Sequence, residues 1–284
     1  MEAHAKSPKF NSTTSPASKR INQIVNQVTS ANMSIPTDIH LYTAQTPNGI
    51  KISILLEELN LQYKATTIEF SKNTQKEPWF LEINPNGRIP AMTDTLNGKQ
   101  IRIFESGAMM QYIVDQYDKD HKVSYPFGTE EYYETNSWLM WQMGGLGPMQ
   151  GQLNHFNRYA PEKIQYGIDR YRAEVRRLYR TMDEALQKSK SGYLVGDRCT
   201  IADISSWGWV SVGKQSGVDP KDFPALNEWV LKMLKRPGVE KGRHVPSKHG
   251  YESIQTMTEE DFEAKAAANR GWILQGQKDE QAKK

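Results

Sequence analysis

The residues able to do chemistry gather in one stretch, Asn84-Pro85-Asn86-Gly87-Arg88-Ile89-Pro90-Ala91-Met92, followed shortly by Phe104-Glu105-Ser106-Gly107. Asn-Pro-Asn-Gly is strong turn chemistry, because Pro presets φ and Gly or Asn tolerates φ > 0. Pro90 stands at the start of the apolar run that follows. Lacking an N–H, it belongs at a first strand residue, an edge or a bulge. With a cis Ile89–Pro90 bond, the Ile89 N–H and C=O face outward, where an extended peptide can add as a strand. Glu105-Ser106-Gly107 then opens a helix whose free N–H groups favour an anion. The segment thus offers backbone to a peptide, a carboxylate to an amine and a helix end to a carboxylate. A plain hairpin with a helix cap accounts for the same spacing.

The elements that must position these residues are legible on either side. Ile39-His40-Leu41-Tyr42 reads as a strand. Thr46-Pro47-Asn48-Gly49 then starts a helix with Thr46 as N-cap and Pro47 at its first position, and Ile50, Ile54, Leu55 and Leu59 form its apolar stripe. Residues 62–70, rich in Thr, Tyr and Ile, read as a second strand, which requires a parallel pair with a right-handed crossover. After a short connector, Leu96-Asn97-Gly98-Lys99 marks a hairpin turn between strands at 91–94 and 101–104, and a helix is expected over 106–117. This β-α-β, β-β-α order is that of a thioredoxin-like domain, placed over residues 36–120.

Beyond Gly128 the strand signals stop, and an all-helical domain is expected over 128–242. Its parts are an aromatic helix over 130–142 kinked or broken at Gly144-Gly145-Leu146-Gly147-Pro148, a long amphipathic helix through Ile164, Ile168, Val175, Leu178, Met182 and Leu186, and a capping box at Thr200-Ile201-Ala202-Asp203. A further helix over 224–234 ends at Arg236-Pro237-Gly238. Residues 243–284 read as an extension with one short helix from Thr258 to about Asn269. Residues 1–35, rich in Ser, Asn, Thr and Gln, read as a disordered arm with a short helix over 20–28.

The 284 residues carry a net charge of +3, too balanced to argue for nucleic acid, and 37% hydrophobic residues with 10% aromatics. No apolar run reaches membrane-spanning length. The single cysteine, Cys199, excludes an intrachain disulfide framework and suits the reducing cytoplasm. His40 and His155 show no metal-ligand spacing, so no metal is expected.

Taken together, N-P-N-G-R-I-P-A, F-E-S-G and the T-I-A-D cap resemble the glutathione transferases. The finer resemblance is to the nu class and its fungal relatives, which include the yeast nitrogen-regulator prion protein. Thr46-Pro47-Asn48-Gly49, Trp138-Leu139-Met140-Trp141-Gln142, Gly144 to Met149, Gln152, His155-Phe156, Ala160-Pro161 and Ile168-Asp169-Arg170-Tyr171 carry it, over residues 38–240. The resemblance implies glutathione as co-substrate, a homodimer, and disulfide-bond reductase activity with one or two glutathiones per subunit. It also implies that Ile89, before cis Pro90, pairs with the cysteinyl part of glutathione and that Glu105 and Ser106 hold the γ-glutamyl end. Arg88 then lies near the opposite end, Gln75 joins the site, Arg170 meets a second glutathione, and Ser137 acts from a neighbouring subunit.

The loop where relatives place a reactive Tyr, Ser or Cys offers Thr46 and Asn48 here. Each can donate to a thiolate and lower its pKa, although Thr46 serves equally as a helix cap. A glutaredoxin needs its own cysteine at this loop and none is present, so the sulfur that attacks a disulfide must be glutathione's. Tyr42 is an alternative donor, and Trp138, Trp141, Trp207 and Trp209 are candidates to line a substrate cleft or fill the core. The alternative function is a non-enzymatic glutathione-binding regulatory protein. The N-terminal arm, mixed rather than a Gln/Asn tract, argues against a prion role.

Overall fold

In the computed structural model, which describes residues 34–282, β1 (His40–Thr43) alternates half-buried His40 and Tyr42 with buried Leu41 and Thr43. Residues 1–33 of the expected arm, with its helix over 20–28, lie outside the described residues. Strand β1 leads into α1 (Gly49–Glu58), whose residues from Gly49 to Leu56 are all buried. Helix α1 starts two residues later than its sequence suggests. Thr46 caps it from outside, its Oγ1 accepting the Gly49 N–H at 3.0 Å. Gly49 is obligatory here: a Cβ would lie 2.2 Å from the Ala44 carbonyl oxygen.

The chain returns in β2 (Lys64–Thr67), shorter than the expected strand because Phe70–Lys72 turns into a 3-10 helix. A second such turn, Thr74–Lys76, and the helix α2 (Pro78–Ile83) fill what reads as a bare connector. Pro78 begins α2 at the position proline prefers. Strands β3 (Ala91–Leu96) and β4 (Lys99–Phe104) form the hairpin, paired Leu96↔Lys99 at the turn and Ala91↔Phe104 at the base. Asn97 (φ 51°) and Gly98 (φ 74°) take the left-handed conformation that this two-residue turn requires. The sheet order is β2-β1-β3-β4, with β1 and β2 parallel and the other neighbours antiparallel. Helix α3 (Ser106–Tyr117) follows directly.

The second half is helical: α4 (Glu130–Trp141), α5 (Gly147–Asn154), α6 (Gln165–Lys188), α7 (Ile201–Val210), α8 (Gly213–Ser216), α9 (Pro224–Leu234) and α10 (Pro237–Gly242). The glycines before Pro148 do not break the chain as expected. They form a π-helical turn over Gln142–Leu146 that joins α4 to α5, the local widening by which a helix absorbs such residues. Helix α9 ends before Arg236-Pro237-Gly238 as expected, and Pro237 also starts α10. Helix α7 begins with the expected capping box of Thr200 and Asp203. One hydrophobic cluster runs from Leu41 through α1 to Leu178, Trp207 and Trp229, so the sheet and the helices share a core.

The C-terminal extension departs most from expectation. After α11 (Tyr251–Thr256) comes α12 (Glu259–Gln281), 23 residues long and capped by a Thr258–Asp261 box. Among the described residues, no helix is long and apolar enough to cross a membrane.

Candidate active site

Strand pairing brings the two halves of the chemical stretch together. Ala91 faces Phe104, so Glu105 and Ser106 emerge beside Ile89 and Pro90. The Ile89–Pro90 bond is cis. Glu105 has φ 69°, a left-handed conformation rare for a non-glycine residue and concentrated at functional sites.

Thr46, Asn48, Gln75, Arg88 and Ile89 line one cavity of about 1050 Å³. They come from the loop before α1, the turn before α2 and the approach to β3. Glu105 and Ser106, at the start of α3, are not among its lining residues, although the Ala91↔Phe104 pairing carries them toward Ile89. Ser137 and Arg170 do not line it. Both are exposed, Ser137 on α4 with its hydroxyl bonded to the Tyr133 carbonyl and Arg170 on α6. The glycine-rich turn after α4 does not supply the open side either; α12 does, through residues including Trp272, Gln275 and Asp279.

Two polar groups of the α1 loop, Asn48 and Thr46, stand at the cavity wall. Trp209 on α7, also lining the cavity, donates its indole N–H to Asn48 Oδ1 at 3.0 Å. An indole nitrogen only donates, so this contact fixes the amide orientation and leaves the Asn48 NH₂ pointing elsewhere, with no acceptor for it among the described residues. Thr46 Oγ1 accepts from Gly49, which leaves its own proton free, since a hydroxyl is one donor and two acceptors. Capping and sulfur binding are therefore compatible roles for Thr46. Gln75 donates to Asn73 Oδ1 at 2.8 Å, while its buried Oε1 has no partner among the described residues.

Lys51 is the residue that sequence reasoning missed. It lies on α1 among apolar residues and is fully buried. Its ammonium donates to Gln142 Oε1 (2.6 Å) and Ser106 Oγ (3.2 Å). Burial pulls its pKa down to about 7, partly opposed by the Glu105 carboxylate. No spacing rule could have shown this, because the partners lie on α3 and after α4.

Other candidates separate from the site. Tyr42 bonds to His40 Nδ1 at 3.2 Å and packs against Phe80 and Trp79. Cys199 is fully buried, and burial pushes its thiol well above the usual range, so it is no nucleophile. Trp207 is core, and Trp138 and Trp141 pack on each other at 5.1 Å. Among the described residues, no group of three His, Cys, Asp or Glu is gathered to hold a metal.

With this geometry in hand, comparison with known proteins is decisive. The family model "Glutathione S-transferase, N-terminal domain" matches residues 37–115, and "Glutathione S-transferase, C-terminal domain" matches residues 148–237. The chain belongs to the glutathione S-transferase family. Disulfide-bond oxidoreductase YfcG of Escherichia coli is 40% identical over 204 residues, which is 71% of this chain and 92% of that protein. A glutathione transferase homologue from Lodderomyces elongisporus, crystallised with two glutathiones per subunit, is 45% identical with TM-score 0.71. It covers 74% of this chain and 99% of its own. The nitrogen regulation fragment of the yeast prion protein Ure2p is 32% identical with TM-score 0.69, covering 72% of this chain and 96% of its own. As a transferase of this family, the chain has the expected thioredoxin-like and helical halves.

Proposed function

We propose that this transferase is a glutathione-dependent disulfide reductase in which the tripeptide supplies the nucleophilic sulfur. The carrying observation is the α1 loop. Two polar side chains, one of them oriented by Trp209, present free hydrogens at the cavity wall, and no cysteine is there. A thiol pKa lies around 8.5. Donation from the Thr46 hydroxyl and the Asn48 amide, with the N-terminal end of α1 behind them, favours thiolate near neutral pH.

In this reading the Ile89 backbone pairs with the cysteinyl unit. Among the described residues its N–H and C=O bond to nothing else. Glu105 takes the γ-glutamyl amine, Ser106 and the start of α3 take its carboxylate, and Arg88 and Gln75 hold the other end. The glutathione thiolate attacks one sulfur of a disulfide RSSR. A glutathione–SR bond forms as the S–S bond breaks, and RS⁻ leaves to take a proton from solvent. A second glutathione thiolate then attacks the glutathione sulfur of the mixed disulfide, which yields glutathione disulfide and the second thiol. Two glutathiones are oxidised and one disulfide becomes two thiols. The YfcG name and the two glutathiones in the Lodderomyces structure support this reading.

In this reading the enzyme works as a cytoplasmic homodimer, with Ser137 acting from the neighbouring subunit and Arg170 meeting the second glutathione. Exposed Phe127 and Tyr133, packed on each other beside α4, suit such an interface. The test is turnover of bis(2-hydroxyethyl) disulfide with glutathione. Thiol release that consumes two glutathiones per disulfide is expected. Tight glutathione binding without turnover would instead favour a regulatory binding protein.

A further inference from the structure

The outer wall of the cavity is not made by residues that match the family. It comes from α12, which begins well past residue 237, where that match ends. Building on the disulfide-exchange reading, we propose that α12 is the acceptor-side wall of the site. Trp272, with the room left by Gly271 and Gly276, selects small peptide disulfides whose acceptor half lies along the helix.

The helix is seated at its start and again near its middle. Near its start Phe262 and Ala266 are buried, and Glu259 forms a bidentate pair with buried Arg158, whose guanidinium also stacks over the Phe262 ring. Further along, Arg270 donates to the Arg158 carbonyl at 2.8 Å. On the far side Trp272 stacks on Phe70 of the sheet domain, with centroids 5.4 Å apart and planes 16° from parallel. A side wall held over the stretch from Glu259 to Trp272 shapes the space beside it.

The glycines then show what the wall leaves open. Glycine is the poorest helix former short of proline, yet Gly271 and Gly276 both sit inside α12 and both line the cavity. A Cβ added at either meets no atom within 4 Å. Gly49 and Gly242 differ, since a Cβ there would lie 2.2 and 2.4 Å from neighbouring backbone. Nothing in the described chain requires glycine at 271 and 276, and together they leave the cavity wall bare of side chains, where a molecule can lie close against the helix.

Chemistry narrows the molecule. Helix α12 brings the Gln275 amide and the Asp279 carboxylate to a cavity whose sheet-domain side carries Lys76 and Arg88. Groups of both signs with an amide between them suit a peptide that bears an amine and carboxylates. The volume sits at the upper end of the usual range for small-molecule sites, about 300–1,000 Å³. It holds glutathione joined to a second small peptide, and the bracketing helix keeps out the surface of a folded protein.

The test uses the full chain with Gly276→Leu, Gly271→Leu and Trp272→Ala, and calorimetry with reduced glutathione and with glutathione disulfide as the two probes. Both leucine variants should keep their affinity for reduced glutathione and lose about tenfold for the disulfide, as overpacking a filled site costs. Trp272→Ala should lose disulfide affinity in the same direction. It removes bulk, so it remains informative if a leucine variant misfolds. Unchanged disulfide affinity in the folded variants, or equal losses for both probes, would overturn the proposal. Absence of turnover with the affinity split intact would sink the exchange reading and leave the wall standing.

Discussion

Asn48 does two things with one amide. Its oxygen is taken by Trp209 at 3.0 Å, so its NH₂ is aimed rather than free to flip. A hydrogen bond to a charged group is worth about 1.5–3 kcal/mol. Asn48→Ala should therefore cut kcat by about tenfold to a hundredfold, by the same free-energy difference, and move the acid limb of the pH–rate profile upward. Glutathione affinity should change far less. Trp209→Phe keeps the ring and removes the N–H, leaving the amide present but unanchored. Its kcat should fall between those of the parent and Asn48→Ala, and a Trp209→Phe enzyme with parental kcat and pH profile would remove the orienting role. Lys51 makes a separate residue-scale prediction. Burial holds its pKa at about 7 in the folded protein, against an unfolded value of about 10.4. Between these limits the unfolded chain binds more protons, so this group makes stability rise with pH from about 7 to about 10. Below pH 7 the lysine is charged in both states and its burial cost is at its largest. Lys51→Met should accordingly stabilise the protein by a few kcal/mol near neutral pH, at the order of magnitude that such a shift carries. That advantage should shrink as pH rises toward 10, as urea unfolding at several pH values would show. The same change strips Ser106 of its donor, so weaker glutathione binding should accompany the gain in stability.

At the level of elements, what was readable was what local chemistry decides. The Asn97-Gly98 turn set the hairpin register, and the Thr200–Asp203 box and Pro224 set helix starts. The site followed from the same rules, because the Ala91↔Phe104 pairing carries Glu105 to Ile89. What escaped depends on contacts distant in sequence. Helix α12 runs twelve residues past Asn269, where the sequence places its end. It continues because Phe262, Ala266 and Trp272 find partners on the π-helical turn at His155–Tyr159 and on Phe70. Lys51 and the Trp209 contact escaped for the same reason. A helix held mainly by tertiary contacts at its start should come loose when those are cut. Glu259 is mostly exposed while Arg158 is buried, so Glu259→Ala removes the partner of a buried cation and one turn of anchoring. Protease cleavage within residues 259–281 should accelerate, while the unfolding midpoint of the remainder moves little. A cleavage rate equal to the parent's would show that Phe262 and Trp272 suffice.

The whole molecule is tied together through α1, which belongs to the sheet domain by sequence and to both halves by contact. Ser53 donates to the Gly242 carbonyl at 2.7 Å, Gln45 to the Arg243 carbonyl at 2.9 Å, and Lys51 to Gln142. Glu58 forms a bidentate pair with Arg236, at 2.8 and 2.7 Å. The Glu58 side chain is 7% exposed and that of Arg236 24%. Removing one partner of a buried pair costs about 3–5 kcal/mol, and the partial exposure of Arg236 places this pair at the low end. Because the shared core and these bonds run through α1 and the loop before it, neither half should melt alone. Calorimetric unfolding is expected as one transition for Pro36–Lys284, and glutathione should raise its midpoint through binding to the folded form only. Glu58→Ala should lower that midpoint without splitting the transition. Two transitions, with glutathione shifting only the first, would show that the sheet domain binds the tripeptide unaided and that the Trp209 contact is dispensable for affinity. A single transition that glutathione displaces leaves the site as a joint product of the two halves, with the helical half aiming the amide that the sheet half carries.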